Sequence, residues 1–98
     1  MYTRDELLAK VIPLFSGYPI RKAALFGSYA RNEQNENSDL DIFLEFSEPI
    51  GIRYGSLYLD LKEAFPISVG LLTKTGLDEQ SEYFKESVLS DMEVFYEK

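Results

Sequence analysis

Two short stretches of the sequence carry groups suited to phosphate and metal chemistry. The first, residues 25–28, is Leu-Phe-Gly-Ser: a short apolar run that ends in a glycine and a serine. Gly27 would let a ligand approach the backbone, Ser28 adds a hydroxyl donor, and the free amides of a following helical turn attract an anion such as phosphate. The second stretch places two carboxylates, Asp39 and Asp41, two residues apart.

The spacing of the two carboxylates predicts that they converge. Two residues of an extended strand advance about 6.6 Å and return to the same face. Mg²⁺ prefers few carboxylates together with phosphate oxygens, so a phosphate-binding turn beside the pair predicts a metal–nucleotide site. Each feature alone has a simpler interpretation: Gly27-Ser28 is also typical of a strand-to-helix turn, and an Asp-x-Asp pair of a solvated strand edge.

The amino-acid composition excludes several kinds of catalytic and metal-binding site. The 98 residues include no Cys and no His, which excludes disulfides, thiolate or imidazole metal ligands and Ser-His-Asp catalysis. Ten basic and 17 acidic residues give a net charge of −7, so we expect no direct DNA binding and no attraction to anionic membranes. No apolar run is long enough to span a bilayer. We expect one small domain over residues 1–98, located in the cytoplasm.

The apolar periodicity predicts an α/β (α+β) fold, with a small mixed β-sheet packed against helices in the order α-β-α-β-α-β-α-β. A capping box of Thr3 and Glu6 begins the first helix, Pro13 ends it near Ile12, and Pro66 ends the third helix. On the last helix, Phe84 and Val88 are expected to face inward. The predicted helices cover residues 3–12, 28–31, 53–65 and 77–90, the strands 22–26, 40–46, 67–72 and 93–96, and a turn 73–76.

The two stretches together resemble a known signature. Gly27-Ser28-Tyr29-Ala30-Arg31, six further residues, and then Ser38-Asp39-Leu40-Asp41-Ile42 closely resemble the motif of the minimal nucleotidyltransferases in the DNA-polymerase-β-like superfamily. The similarity extends over essentially the whole chain, through residues 44–46, 49–51, 69–73 and 94–96.

The resemblance implies roles for individual residues. Gly27 and Ser28 would hold the phosphates of a nucleoside triphosphate, with ATP the expected nucleotide. Asp39 and Asp41 would be the catalytic carboxylates and would bind Mg²⁺. Arg31 is assigned to the nucleotide site but has two interpretations: it approaches phosphate, or it pairs with a carboxylate and fixes the turn, which we favour.

Ser38 is also assigned to the nucleotide site, and we expect it to cap or orient the aspartate strand rather than contact substrate. Two positions depart from the family pattern. Asn32 stands where a glycine is common, and asparagine tolerates left-handed backbone angles. Gly70 stands where active members carry a third metal-binding carboxylate, and residues 67–73 contain no acid.

Two hypotheses of function follow from the resemblance. In the first, the protein transfers a nucleotidyl group to a hydroxyl acceptor and serves as the antitoxin of a HEPN-type toxin, a small helical partner whose basic surface would suit the acidic chain. In the second, the missing acid at Gly70 leaves a nucleotide-binding module with weak or absent transfer that masks its partner. The acceptor, the nucleotide preference and the formation of a homo-oligomer stay open.

Overall fold

The computed structural model describes residues 3–65 and 67–98, which form an α/β fold. Its elements in chain order are α1 (Arg4–Val11), a 3-10 helix (Ile12–Gly17), β1 (Ile20–Phe26), β2 (Leu40–Phe46), α2 (Arg53–Ala64), β3 (Val69–Thr73), α3 (Lys74–Asp78), α4 (Glu82–Asp91) and β4 (Glu93–Glu97).

The four strands form one mixed sheet in the order β3-β2-β1-β4. β1 is antiparallel to β2 and to β4, whereas β2 and β3 run parallel. In this register Asp41 of β2 lies opposite Phe26 at the end of β1 and beside Gly70 of β3. The sheet therefore brings the end of the first strand, the second aspartate and Gly70 together.

Helices cover both faces of the sheet. Alternate residues of β2, Leu40, Ile42 and Leu44, are fully buried in the larger core, which is closed by α1, the 3-10 helix and α2. On the other face Phe43 packs in a smaller core, together with the buried side chains of Ala24, Leu77 and Val88. Each fully buried Leu or Phe of these cores contributes about 1.5–3 kcal/mol. The period-two pattern of β2 is confirmed, with the addition that its second face is also packed.

The first helix begins and ends as the sequence predicts. The Thr3 hydroxyl accepts a hydrogen bond from the Glu6 amide at 3.2 Å, and the Glu6 carboxylate accepts from the Thr3 amide at 3.3 Å. α1 ends at Val11, and Pro13 lies in the following 3-10 helix. The predicted stop at Pro66 lies outside the described residues; α2 ends at Ala64.

The one or two helical turns predicted at residues 28–31 are present only as a single hydrogen-bonded turn, which does not extend into a helix. The amide of Arg31 donates to the carbonyl of Gly27 at 3.2 Å, and Asn32, with φ 58°, then ends the turn in the left-handed region. The Glu33 amide donates to the Ser28 carbonyl at 2.9 Å, which completes a Schellman closure. The residues that follow, 33–37, are all polar and offer no apolar face to extend a helix.

The C-terminal helix prediction is also wrong in its bounds. The predicted turn at 73–76 is the start of α3, where the Thr73 hydroxyl accepts from the Gly76 amide at 3.1 Å. Ser81 begins a separate helix, because its hydroxyl accepts from the Phe84 amide at 3.3 Å. Val88 is buried as predicted, but Phe84, in the first turn of α4, is 39% exposed. No helix within residues 3–65 and 67–98 has the length and apolarity of a membrane span.

Candidate metal and phosphate site

Gly27 occupies a position that no other residue could fill without strain. It follows the last residue of β1 and has φ 74°, a left-handed angle that L side chains rarely adopt. A Cβ atom placed on Gly27 would also penetrate the Asp41 carboxylate. The glycine is therefore required both by the turn and by the side chain beside it.

Asp41 lies between two glycines. A Cβ atom built on Gly70 would approach Asp41 Oδ1 to 2.7 Å, so the carboxylate occupies the space that side chains at positions 27 and 70 would need. The carboxylate is thereby held in a notch between the ends of β1 and β3. Position 70 is also where a third acid would meet the pair, as the family pattern implies.

The two aspartates are close enough to affect each other. Asp39 is exposed and lies one residue before β2, where the predicted strand bounds of 40–46 also leave it. Burial raises the pKa of the Asp41 carboxyl, the charge of Asp39 raises it further, and the Arg31 guanidinium lowers it. This repulsion between carboxylates is the kind that a bound divalent cation relieves.

The turn after β1 presents unused backbone donors. Within the described part of the chain, the amides of residues 28–30 make no backbone hydrogen bond, and the Ser28 hydroxyl has no partner. The turn is anchored by the Tyr29 ring, which is 1% exposed and belongs to the larger core. The buried Tyr29 ring therefore anchors the turn that directly follows Gly27, the residue against which the Asp41 carboxylate packs.

Arg31 is paired with carboxylates. Its Nη1 donates to Asp91 Oδ2 at 2.5 Å and its Nε donates to Glu33 Oε2 at 3.1 Å. Of the two interpretations offered by the sequence, the structure contains the carboxylate pairing. Asp91 was missed by sequence reasoning, because the predicted helix ended at Ser90 and no local pattern links residue 91 to Arg31.

Ser38 closes the loop that leads to Asp39. Its hydroxyl accepts from the Asn35 amide at 2.9 Å, and its own amide donates to the Asn35 carbonyl at 3.1 Å. The Asn35 side chain in turn accepts from the Asn37 amide at 2.8 Å. These bonds fix the entry to β2, which is the orienting role expected for Ser38.

The donor set fits one hard cation with an incomplete protein shell. Among the residues that the structure describes, no group of three or more His, Cys, Asp and Glu side chains could hold a metal. Two carboxylates, with phosphate oxygens and water for the remaining positions, match the preference of Mg²⁺. Asp39 and Asp41 are therefore the residues that would hold Mg²⁺ beside a phosphate at the Gly27–Ser28 turn.

Two cavities lie away from this notch. Their volumes are about 550 and 280 Å³, and both include Glu45 and Lys74 in their walls, at the opposite end of β2 from Asp41. The shape of the surface alone would favour a ligand-binding site in these cavities. The paired carboxylates, the strained glycine and the free amides instead lie at or next to the Asp41 notch, where Asp39 is exposed to solvent.

Comparison with known proteins identifies the class. Residues 9–98 match the family model described as polymerase beta, nucleotidyltransferase. The chain belongs to this family, and within it resembles the minimal nucleotidyltransferases of toxin–antitoxin systems.

Individual relatives agree with this assignment. A candidate protein adenylyltransferase of Methanocaldococcus jannaschii, MJ0126, is 40% identical over 76 residues, which is 76% of each chain. The protein adenylyltransferase MntA of Thermococcus cleftensis is 34% identical over 61% of this chain and 62% of its own. Among solved structures, a toxin–antitoxin crystal structure with AMP-PNP has a TM-score of 0.71 and 25% identity, covering 92% of this chain and 73% of its own. A candidate minimal nucleotidyltransferase has a TM-score of 0.69 and 26% identity, covering 92% and 89%.

Proposed function

We propose that this minimal nucleotidyltransferase binds a Mg²⁺-complexed nucleoside triphosphate, with ATP the expected ligand, and transfers its nucleotidyl group to a hydroxyl only slowly. The observation that carries the proposal is the Asp41 carboxylate held between Gly27 and Gly70, beside Asp39 and next to a turn with free amides. The same arrangement that suits Mg²⁺ and phosphate leaves position 70 without a third acid.

The nucleotide part of the proposal rests on the turn. The amides of residues 28–30 and the Ser28 hydroxyl are donors that phosphate oxygens would accept from, and such bonds to a charged acceptor are stronger than neutral ones. A bound Mg²⁺ would neutralise the triphosphate charge that Asp39 and Asp41 otherwise repel. The structural relative solved with AMP-PNP, and the adenylyltransferase names of the sequence relatives, favour an adenine nucleotide.

Slow transfer is expected because Gly70 provides no carboxylate beside Asp41. Removal of the proton from an attacking hydroxyl by a positioned base is worth about 10²–10⁴-fold, and β3 supplies no group for it. Glu45, the next acid on the same face of β2, lies four residues beyond Asp41, about 13 Å by strand rise. Its carboxylate is moreover paired with Arg21 at 2.9 Å. We therefore expect weak transfer by the protein on its own.

The partner proposed is a HEPN-type toxin, for which this chain would act as the antitoxin. The structural relatives described as toxin–antitoxin complexes favour this assignment. The net charge of −7 favours a basic protein surface over nucleic acid. Masking of the partner would not need the third acid, so this role is compatible with slow transfer.

A second candidate function is protein adenylylation at the rate of an intact enzyme. It is favoured by the 40% identity to a relative named as a candidate protein adenylyltransferase. It requires that another carboxylate, from residues 33–36 or from a partner, replaces the acid missing at Gly70. Robust transfer by the wild-type protein, lost in Asp39→Ala, would select it.

Calorimetric titration of ATP with and without Mg²⁺ tests the proposed binding. The wild-type protein should bind more tightly with Mg²⁺, Asp41→Asn should lose that metal dependence, and Ser28→Ala should weaken binding by about 0.5–1.5 kcal/mol. Asp5→Asn, an exposed carboxylate in the first turn of α1, is the matched control and should behave as wild type. Equal affinity with and without Mg²⁺ in the wild-type protein would refute the proposal.

A further inference from the structure

Asp91 lies where a carboxylate is unfavourable for its own helix. It is the last residue of α4, whose final turn contains no basic residue, and a helix C-terminus carries partial negative charge. Its side chain is nevertheless only 17% exposed. A partly buried acid at this position needs a cation from elsewhere in the fold.

Arg31 is that cation, and it belongs to the phosphate turn. The Arg31–Asp91 contact of 2.5 Å joins residues 60 positions apart in sequence, and so ties the end of α4 to the turn that carries the free amides. Glu33 takes a second donor of the same guanidinium at 3.1 Å. Two carboxylates therefore already engage Arg31 before any phosphate arrives.

The charge around the notch is strongly negative. The Arg31 guanidinium acts on Asp41 and lowers its pKa, whereas burial and the charge of Asp39 raise it. Around Arg31 stand the carboxylates of Glu33, Asp39, Asp41 and Asp91, so four negative charges face one positive charge. A polyphosphate approaching the turn meets net repulsion until a cation neutralises it.

We propose that Asp91 is a positioning residue that keeps Arg31 engaged and thereby makes polyphosphate binding at the Gly27–Ser28 turn depend on a divalent cation. The inference rests on the proposed function and concerns the same site. With a neutral side chain at position 91, Nη1 of Arg31 is freed to bind phosphate oxygens directly while Nε keeps its contact with Glu33, and one repelling charge is removed. Metal-free affinity then rises, whereas affinity with Mg²⁺, where the cation already neutralises the site, changes less.

The experiment measures the dissociation constants of ATP and of inorganic tripolyphosphate in EDTA and in Mg²⁺. We expect Asp91→Asn to tighten metal-free binding roughly three- to tenfold, as for one screened charge interaction, and to reduce the ratio of the two constants. Glu86→Gln removes an exposed charge from the same helix and should leave that ratio unchanged. Tripolyphosphate should respond as ATP does, because the effect acts on phosphate charge.

A second pair of variants keeps the inference testable if Asp91→Asn folds poorly. Glu33→Gln, on the exposed loop, should shift the ratio in the same direction by a smaller amount. In an Arg31→Met background the effect of Asp91→Asn should shrink, since the released guanidinium is absent. If metal-free binding is unchanged or weaker in both Asp91→Asn and Glu33→Gln, the inference is overturned. The proposed function would still stand in that case, provided that the wild-type protein binds nucleotide with Mg²⁺. A wild-type protein that binds no nucleotide in Mg²⁺ would overturn both.

Discussion

At the scale of single residues, Asp41 combines a candidate metal-binding position with a cost to the stability of the fold. Its carboxylate is held between two glycines and beside Asp39, and both burial and that charge raise its pKa. A raised folded-state pKa means that the protonated carboxyl favours folding, and that this contribution is lost as pH rises through the folded pKa. At neutral pH, burial and the charge of Asp39 therefore make the ionised Asp41 unfavourable for the stability of the fold.

Asp41→Asn should consequently raise the melting temperature at neutral pH in metal-free buffer, because the uncharged amide avoids both effects. The difference from wild type should shrink in acid, where the wild-type carboxyl is protonated. Thermal unfolding followed by circular dichroism at both pH values checks this, with Asp5→Asn as the control that gains no stability. A lower melting temperature for Asp41→Asn at neutral pH would contradict the account.

Gly70 is the position at which the proposed nucleotide binding and the proposed slow transfer can be tested separately. Gly70→Asp adds a third carboxylate beside Asp41; its Cβ atom would approach Asp41 Oδ1 to 2.7 Å, so the Asp41 side chain must shift to admit it. We expect transfer of labelled nucleotide to a protein acceptor to increase by about 10²-fold or more if the new acid acts as a base.

Gly70→Asn is the matched control for this assay, since it has the same size without the charge. It should fold and remain as slow as wild type. Equal rates for the aspartate and asparagine variants would show that the missing carboxylate is not what limits transfer.

At the scale of elements, the turn over residues 28–32 depends on Asn32. Its φ of 58° completes the Schellman closure, and for a residue with a Cβ and no local polar group this region costs about 1–2 kcal/mol. Asn32→Ala should therefore lower the free energy of unfolding in urea by about 1 kcal/mol, whereas Asn32→Gly should leave it unchanged or slightly higher. Equal stability of the alanine and glycine variants would mean that the left-handed angle does not hold the turn.

The elements also show what the sequence could and could not predict. The bounds of β2 are predictable to the residue, because strict alternation over residues 40–46 is a local signal. The helical segment predicted at 28–31 is limited to one turn because Asn32, in the left-handed region, ends it. The apolar stripe over residues 77–90 favours one continuous helix, whereas Ser81 can cap a new one. The structure shows that the Ser81 cap prevails and separates α3 from α4.

The candidate site likewise contains some residues that the sequence could predict and some that it could not. Gly27, Ser28, Asp39 and Asp41 could be selected because a motif places them near each other in sequence. The contact of Arg31 with Asp91 could not, since it joins residues 60 positions apart and arises from the packing of α4 against the sheet. The closeness of Gly70 to Asp41 likewise follows from the parallel pairing of β2 and β3.

At the scale of the whole molecule, the sheet explains why so short a chain can form the site. The ends of β1 and β3 flank Asp41 of β2, and two cores on opposite faces hold the three strands in register. The notch therefore needs no second domain to position its carboxylates. Within residues 3–65 and 67–98, no third acid joins Asp39 and Asp41 in a metal-binding group, and β3 places Gly70 beside Asp41.

The central claim, that the Asp41 notch takes a metal-bound nucleotide, is tested most directly by locating the metal. Backbone amide NMR spectra recorded with ATP and substoichiometric Mn²⁺ in place of Mg²⁺ report which residues lie near the ion. We predict selective broadening of amides at Gly27, Ser28, Asp39, Asp41 and Gly70, abolished by Asp41→Asn. Broadening centred on the Glu45–Lys74 cavities, or spread evenly over the acidic surface, would contradict the account.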